Sequence, residues 1–419
     1  MYSYRAVRSM GRAAIITDYT GDDMANVFDY LQWRGDLLFS QDGFHTVDAL
    51  ILSRLSYIQL DGILGENESL TVRKAAEQFF ADETRAEQVL WKGDAELLQA
   101  AADSARFGDL LLSDYVNIVD GETKMQFSAV VIDVDGRQFL SYRGTDNTVV
   151  GWQEDFALFT QFPLPSQIKA LTYFEKAAAR FDGRFMLGGH SKGGNLAVYA
   201  AAFCEQALRD RIDAVYSMDG PGFERENLKD SAFDEIRDRI HTFVPQSSVF
   251  GMLLEHRENY TIIQSDRKGF MQHDIYSWNI DGTEPVTLPK TTATSAFFDH
   301  TITDFFDGMS QKDRERLLDG VFEVLKSSDV TTFDEMLDRL MPSIGKGLDT
   351  MKNMDGKTRA LIMKQVGRLV KSAGRNLSDV NPLRRKNRLT KEERDRLKLD
   401  KRRFKHEKKL RKITGEAGS

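Results

Sequence analysis

Residues 184–201 read Arg-Phe-Met-Leu-Gly-Gly-His-Ser-Lys-Gly-Gly-Asn-Leu-Ala-Val-Tyr-Ala-Ala, and no other stretch limits the possible folds as sharply. The short apolar run 185–187 predicts a strand. Gly189-His190-Ser191-Lys192-Gly193 predicts a sharp turn, and the alanine-rich run after it a helix. A serine on such a strand-to-helix turn sits in a strained backbone conformation, so the positions around it must be small. Gly189 and Gly193 meet that demand, and Gly188 and Gly194 extend it. The helix N-terminus then lies beneath Ser191, where backbone N–H groups can stabilise an oxyanion. A bare G-x-S-x-G recurs by chance in long chains. The flanking strand and helix supply its structural context and mark Ser191 as a nucleophile.

The rest of the chain supports a sheet for this turn to sit on. Apolar periodicity predicts a helix over 47–58 and a helical region over 70–107. Strands follow at 127–134 and 138–142, joined by Asp135-Gly136, a strong hairpin signal. Elements then alternate: helix 167–180, strand 185–187, helix 195–208, strand 214–218, helix 224–238 and strand 240–243. Two more strands are expected at 260–264 and 275–280. Such alternation predicts a mostly parallel sheet covered on both faces. With a serine on a strand-to-helix turn, this means an α/β-hydrolase architecture.

From about residue 291 the strand signal ends, and 294–307, 311–327, 331–341 and 356–373 show helical periodicity. Three regions are therefore expected: 1–290 as the hydrolase domain with a helical N-terminal segment, 291–380 as a helical extension, and 381–419 as a basic, flexible tail. The net charge of −7 conceals this tail. Residues 381–412 carry sixteen Lys/Arg against five Asp/Glu, a net of +11 that leaves the remainder at −18. Such a block stays solvated or docks on an acidic surface, a membrane or a nucleic acid among them. It lacks the interleaved aromatics of a base-stacking surface.

No run is long enough for a membrane span, and residues 1–19 lack the continuous apolar core of a signal peptide. The single cysteine, Cys204, excludes an internal disulfide and a cysteine-based zinc site, and is read as a small core residue. The expected compartment is the cytoplasm.

A serine hydroxyl needs a base, and the base an orienting carboxylate, in this architecture in the order Ser, acid, His. Among the seven histidines, His45 precedes the sheet, His190 points away from the nucleophile, His241 opens a strand and His406 lies in the tail. His300 falls inside a helical run. His273 lies in a loop between the last two predicted strands, where a base belongs. Asp219 ends strand 214–218 and opens Asp-Gly-Pro-Gly. It is the best-placed acid, although an aspartate there also shapes turns. Asp266 is the runner-up, and Asp274 is too close to His273 in sequence to orient it. The oxyanion site is assigned to the N–H groups of Lys192 and of Thr145, which follows the strand 138–142. Arg143 is expected to brace that loop through a carboxylate such as Asp155. The Lys192 side chain is read as solvated, in preference to receiving a substrate anion.

These residues resemble known patterns. Arg143-Gly144-Thr145 with Trp152 and Asp155 resembles the oxyanion region of fungal-type, class three triacylglycerol lipases. More closely, the span from Asn26 to Ile280 resembles a bacterial family of lipase-like α/β hydrolases labelled Mbeg-like. The matching segments are Phe28-Asp-Tyr-Leu-Gln-Trp-Arg-Gly-Asp36, the elbow, Tyr216-Ser-Met-Asp-Gly-Pro-Gly-Phe223, Met271-Gln-His-Asp274 and Tyr276-Ser-Trp278. The resemblance implies nucleophile, acid and base at Ser191, Asp219 and His273, and leaves the substrate open. Two departures from the lipases stand out. Lys192 replaces their usual leucine, and Val244-Pro-Gln-Ser-Ser-Val-Phe-Gly251, where they carry the acid, has no carboxylate.

The expected activity is that of a serine hydrolase cleaving an acyl ester, lipid or other, without metal or organic cofactor. The second reading is a hydrolase-like scaffold that acts by binding, its basic tail contacting an anionic partner.

Overall fold

A computed structural model describes residues 24–292, apart from 147, 225–226, 228–230 and 268, together with scattered positions between 309 and 367. The helices predicted beyond 292 and the basic tail lie essentially outside the described residues, as does His300.

Asn26 opens helix α1 (Val27–Arg34), its side chain accepting the Phe28 N–H at 2.8 Å while Asp29 accepts the Asn26 N–H at 2.8 Å. Helix α2 (Thr46–Leu55) follows. The region expected to be helical over 70–107 begins with a short strand, β1 (Ser69–Thr71), before α3 (Val72–Ala81) and α4 (Lys92–Asp103). The sheet continues with β2 (Leu111–Asp120), β3 (Met125–Val134) and β4 (Arg137–Tyr142). Next come α5 (Val149–Ala157), α6 (Pro165–Arg180), β5 (Phe185–His190) and α7 (Lys192–Phe203). The helix predicted over 195–208 is split: Cys204 turns extended, and α8 (Gln206–Arg209) is separate. Strand β6 (Ile212–Met218), helix α9 (Ser231–Ile236), and strands β7 (Ile240–Pro245) and β8 (Tyr260–Ile263) complete the alternation.

The strand expected over 275–280 does not form. Asp274 accepts the Tyr276 N–H at 3.1 Å and caps a single 3-10 turn, Ile275–Ser277. Only β9 (Ile280–Asp281) remains, paired with β10 (Glu284–Pro285) outside the main sheet, while β11 (Thr287–Leu288) pairs with β8.

The main sheet has nine strands in the order β1-β2-β3-β4-β5-β6-β7-β8-β11. Strands β4 to β8 are parallel neighbours, as expected for the part of the sheet that carries the elbow, while β1 to β4 and the β8–β11 pair are antiparallel, so the whole sheet is mixed. The antiparallel half arises from hairpins. Asp135 (φ 54°) and Gly136 (φ 81°) both take left-handed conformations, the geometry that matches strand twist in a two-residue turn.

Two cores sandwich the sheet. On β3, Val130, Ile132 and Val134 pack with Val47, Leu50 and Leu98 from the N-terminal helices. Phe127, Ala129 and Val131 pack on the other side with Phe174 of α6 and Leu196 of α7. Burying both faces explains the consecutive apolar residues at 129–132 in β3 and 185–187 in β5. Each fully buried Phe or Leu contributes about 1.5–3 kcal/mol of transfer free energy. Cys204 is buried, as expected.

Candidate active site

Strand β5 delivers Ser191 at its C-terminal end, where the chain reverses into α7. Ser191 has φ 59° and ψ −133°, a strained conformation for a residue with a side chain. Its N–H donates to the Met218 carbonyl at 2.9 Å, so the turn is tied to the end of the neighbouring strand β6. A Cβ on Gly193 would lie 2.0 Å from the Tyr142 carbonyl oxygen, which is why helix and strand can pass here only over glycine. Ser191 itself is partly exposed, while its neighbours His190 and Lys192 are buried.

The next residue after β6 is Asp219, also at positive φ (52°), its N–H donating to the Phe243 carbonyl at 2.8 Å. Its Oδ2 accepts from His273 Nδ1 at 2.7 Å. Its other oxygen accepts from the Ser248 hydroxyl at 2.5 Å and the Gly251 N–H at 3.2 Å. The segment 244–251, which has no carboxylate of its own, therefore holds Asp219. Gly251 is required for this, since a Cβ there would sit 2.2 Å from Asp219 Oδ1. The other candidate carboxylates do different work. Asp266 is exposed, and Asp274 pairs with Arg267 at 3.0 Å.

His273 ends a 3-10 turn, Gly269–His273, and is packed between aromatic rings. Phe250 and His190 each lie 4.4 Å from it, centroid to centroid, and Trp91 lies edge-on at 6.5 Å. The structure thus brings Asp219 and His273 into direct contact beside the elbow carrying Ser191. Seen along the backbone, His190 Nε2 reaches the His273 carbonyl at 2.8 Å. The His190 side chain is directed into the loop that carries His273. Burial, then the nearby His273 and Arg54, push its pKa well below the usual histidine range, so it is neutral.

The loop after β4 lies against the elbow. Thr145 Oγ1 donates to Asp155 Oδ1 at 2.5 Å. Burial pushes the Asp155 carboxyl up to about 6, against the charge of Lys192 and the Thr145 hydrogen bond, which lower it. Arg143 braces the loop through a carboxylate, but through Asp146 and not Asp155: its Nη2 donates to Asn117 Oδ1 at 3.0 Å and to Asp146 Oδ2 at 3.3 Å.

Lys192 corrects a second expectation. Its side chain is 1% exposed, and Nζ donates to Glu154 Oε2 (2.8 Å), Gln126 Oε1 (2.9 Å) and the Gln126 carbonyl (2.9 Å). An ammonium has three protons, and three acceptors receive them. The cation is neither solvated nor available to a substrate anion, because α5 brings Glu154 against the first turn of α7. Its backbone N–H remains at the helix start, following Ser191.

Two contributors carry no sequence signal. Glu154 is one acidic residue among many. The seventh histidine, His256, pairs through Nδ1 with Glu258 at 2.9 Å and through Nε2 with the Gly251 carbonyl at 2.7 Å. It buttresses the turn whose N–H holds Asp219. Apolar side chains gather nearby: Phe159 packs with Phe156, Leu253, Leu254 and Met309. Among the described residues no cluster of His, Cys, Asp and Glu is placed to hold a metal, and no helix is long and apolar enough to cross a membrane.

The Mbeg1-like family model matches residues 101–323. No curated protein matches the chain. Among solved structures, the native Rhizomucor miehei lipase propeptide complex is similar at 11% identity and a TM-score of 0.30, over 52% of this chain and 67% of that one. An overlap that loose carries no argument.

Proposed function

This chain belongs to the Mbeg1-like family, and from that premise we propose that it is a serine hydrolase of α/β-hydrolase fold that cleaves acyl esters. The observation that carries the reading is the 2.7 Å hydrogen bond from His273 Nδ1 to Asp219, made beside a strained serine on a strand-to-helix turn. A buried carboxylate on Nδ1 fixes the tautomer in which Nε2 is free to accept a proton.

In this reading Ser191 Oγ attacks the ester carbonyl carbon while His273 Nε2 takes its proton. The carbonyl oxygen becomes an oxyanion held by the N–H groups of Lys192 and Thr145. Collapse of the tetrahedral intermediate breaks the bond to the alcohol, which leaves with the proton from His273. Water, deprotonated by the same imidazole, then attacks the acyl-serine and releases the acid, restoring Ser191. Asp219 stays ionised and balances the imidazolium formed in each half. The chemistry needs no further cofactor.

Phe250, Trp91 and the apolar group around Phe159 favour an apolar acyl chain, lipid or other. In this reading the region before residue 291 is the catalytic domain, and the basic composition of 381–419 suits an anionic surface. A cytoplasmic location fits the cysteine usage.

Fluorophosphonate labelling tests the reading directly. The folded parent should label at Ser191 and the Ser191→Ala variant should not. Hydrolysis of p-nitrophenyl esters of increasing chain length then sets the acyl preference. A folded parent that neither labels nor turns over any of these esters would instead favour a scaffold that acts by binding.

A further inference from the structure

We propose that His190 is a positioning residue: its ring, held by Tyr57 and the Arg54–Asp94 pair, fixes the backbone of His273 and with it the imidazole that acts as base. The inference rests on the serine-hydrolase reading.

The hydrogen-bond pattern admits one tautomer. The His273 carbonyl can only accept, so His190 Nε2, 2.8 Å away, carries the proton. Nδ1 is then the acceptor, and two donors face it, the Tyr57 hydroxyl at 3.0 Å and Arg54 Nη1 at 3.4 Å. The tautomer is therefore set by the groups around the ring.

Those groups are themselves anchored. Arg54 forms two bonds to Asp94, at 2.6 and 2.9 Å, and lies 3.7 Å over the Tyr57 ring. The Tyr276 hydroxyl donates to the same Asp94 at 2.7 Å. Tyr276 lies three residues beyond His273. One buried network thus grips the base loop twice, at the His273 carbonyl and at the Tyr276 hydroxyl. Arg54, Asp94 and His190 are each at most 1% exposed, so bulk water does not compete for these bonds.

Asp219 holds the imidazole by Nδ1, while His190 holds the same residue by its backbone. Two anchors define a ring orientation that one would leave free to pivot. The neutral state of His190 matters too, because a second cation 4.4 Å from His273 would oppose the imidazolium formed during acyl transfer. Arg54 and Tyr57 belong to α2 and its C-terminal extension, and Asp94 to α4. All lie before residue 101, where the family match begins. The N-terminal helices are in this way part of the catalytic apparatus.

The test compares His190→Leu, His190→Gln and Tyr57→Phe in the full chain. Two readouts are followed: the second-order rate of fluorophosphonate labelling against pH, and the downfield NMR resonance of the proton between His273 Nδ1 and Asp219. His190→Leu should lower the labelling rate about ten- to a hundred-fold, the scale of a misplaced catalytic group, with the final labelled fraction unchanged. Its downfield resonance should broaden. His190→Gln, which keeps an N–H donor, should recover most of the rate, and Tyr57→Phe should fall between. A folded His190→Leu protein with parental rate and resonance overturns the proposal, as does a Gln variant no better than Leu. Should His190→Leu fail to fold, Tyr57→Phe, which keeps the ring, decides by the same criteria. A parent that never labels refutes the hydrolase reading, while the resonance still judges the positioning role.

Discussion

Lys192 Nζ lies 2.8 Å from Glu154 Oε2, with both side chains 1% exposed, one residue beyond the serine of the elbow. Glu154 also accepts the backbone N–H groups of Gln126 and Ser166, each at 3.0 Å, so the pair joins α7, β3 and the start of α6. Removing one partner leaves a buried charge. Lys192→Met should cost about 3–5 kcal/mol of stability in urea unfolding. The double variant Lys192→Met/Glu154→Gln should regain a large part of that loss. Simple addition of two single losses would show that the charges are not coupled.

Asp219 and Asp266 separate cleanly by mutation. Asp219→Asn removes the acceptor for His273 Nδ1–H and favours the wrong tautomer, so ester hydrolysis should drop about 10³- to 10⁴-fold. Asp266→Asn, at an exposed position, should leave the rate within a factor of two, on the scale of about ±0.5 kcal/mol typical of surface changes. Steady-state kinetics on one ester checks both.

Closeness at Gly251 gives a sharper steric test. A methyl group there would collide with the Asp219 carboxylate and with Ser248 Oγ, at 2.2 and 3.1 Å. Gly251→Ala should destabilise the fold by about 1–3 kcal/mol and lower the rate of labelling at Ser191. Thermal unfolding and labelling should move together; a normal labelling rate would mean that the turn can yield without disturbing the acid.

The His256–Glu258 pair has a definite pH window. Glu258 hydrogen-bonds His256 and raises its pKa above 6.5 despite burial, so this contribution is present below 6.5 and fades as pH rises through the raised value. In the other direction, His256 lowers the Glu258 carboxyl below 4.5 against the opposing effect of burial, so its contribution is present above 4.5 and is lost as pH falls further. The stability difference between parent and His256→Gln should therefore be largest between 4.5 and 6.5 and shrink on both sides. Unfolding free energies measured across that range check it, and a difference independent of pH would refute the charge pairing.

The elements that could be read before folding were those with local signatures. The Asp135-Gly136 hairpin, the strand ending at His190 and the helix after it each follow from a few adjacent residues. Strand β2 escaped, because Ser113, Asp114 and Asn117 interrupt its apolar pattern and its register shifts between Ser113 and Val116. The expected strand at 275–280 failed for the opposite reason: its apolar residues pack inward, but the Asp274 side chain turns the backbone.

At the site, residue types and chain order marked Ser191, Asp219 and His273 as candidates, since acyl-transfer chemistry admits few side chains and strand ends have recognisable turns; folding brings Asp219 and His273 into contact. Their environment was decided only in three dimensions. Whether Lys192 faces water depends on α5 bringing Glu154 against it, and the neutral state of His190 depends on its burial and on the nearby His273 and Arg54, both more than eighty residues away in sequence. Local pattern determines backbone geometry because turns, caps and strands are made by neighbours. Burial and charge pairing are set by groups distant along the chain, and tertiary packing alone brings them together.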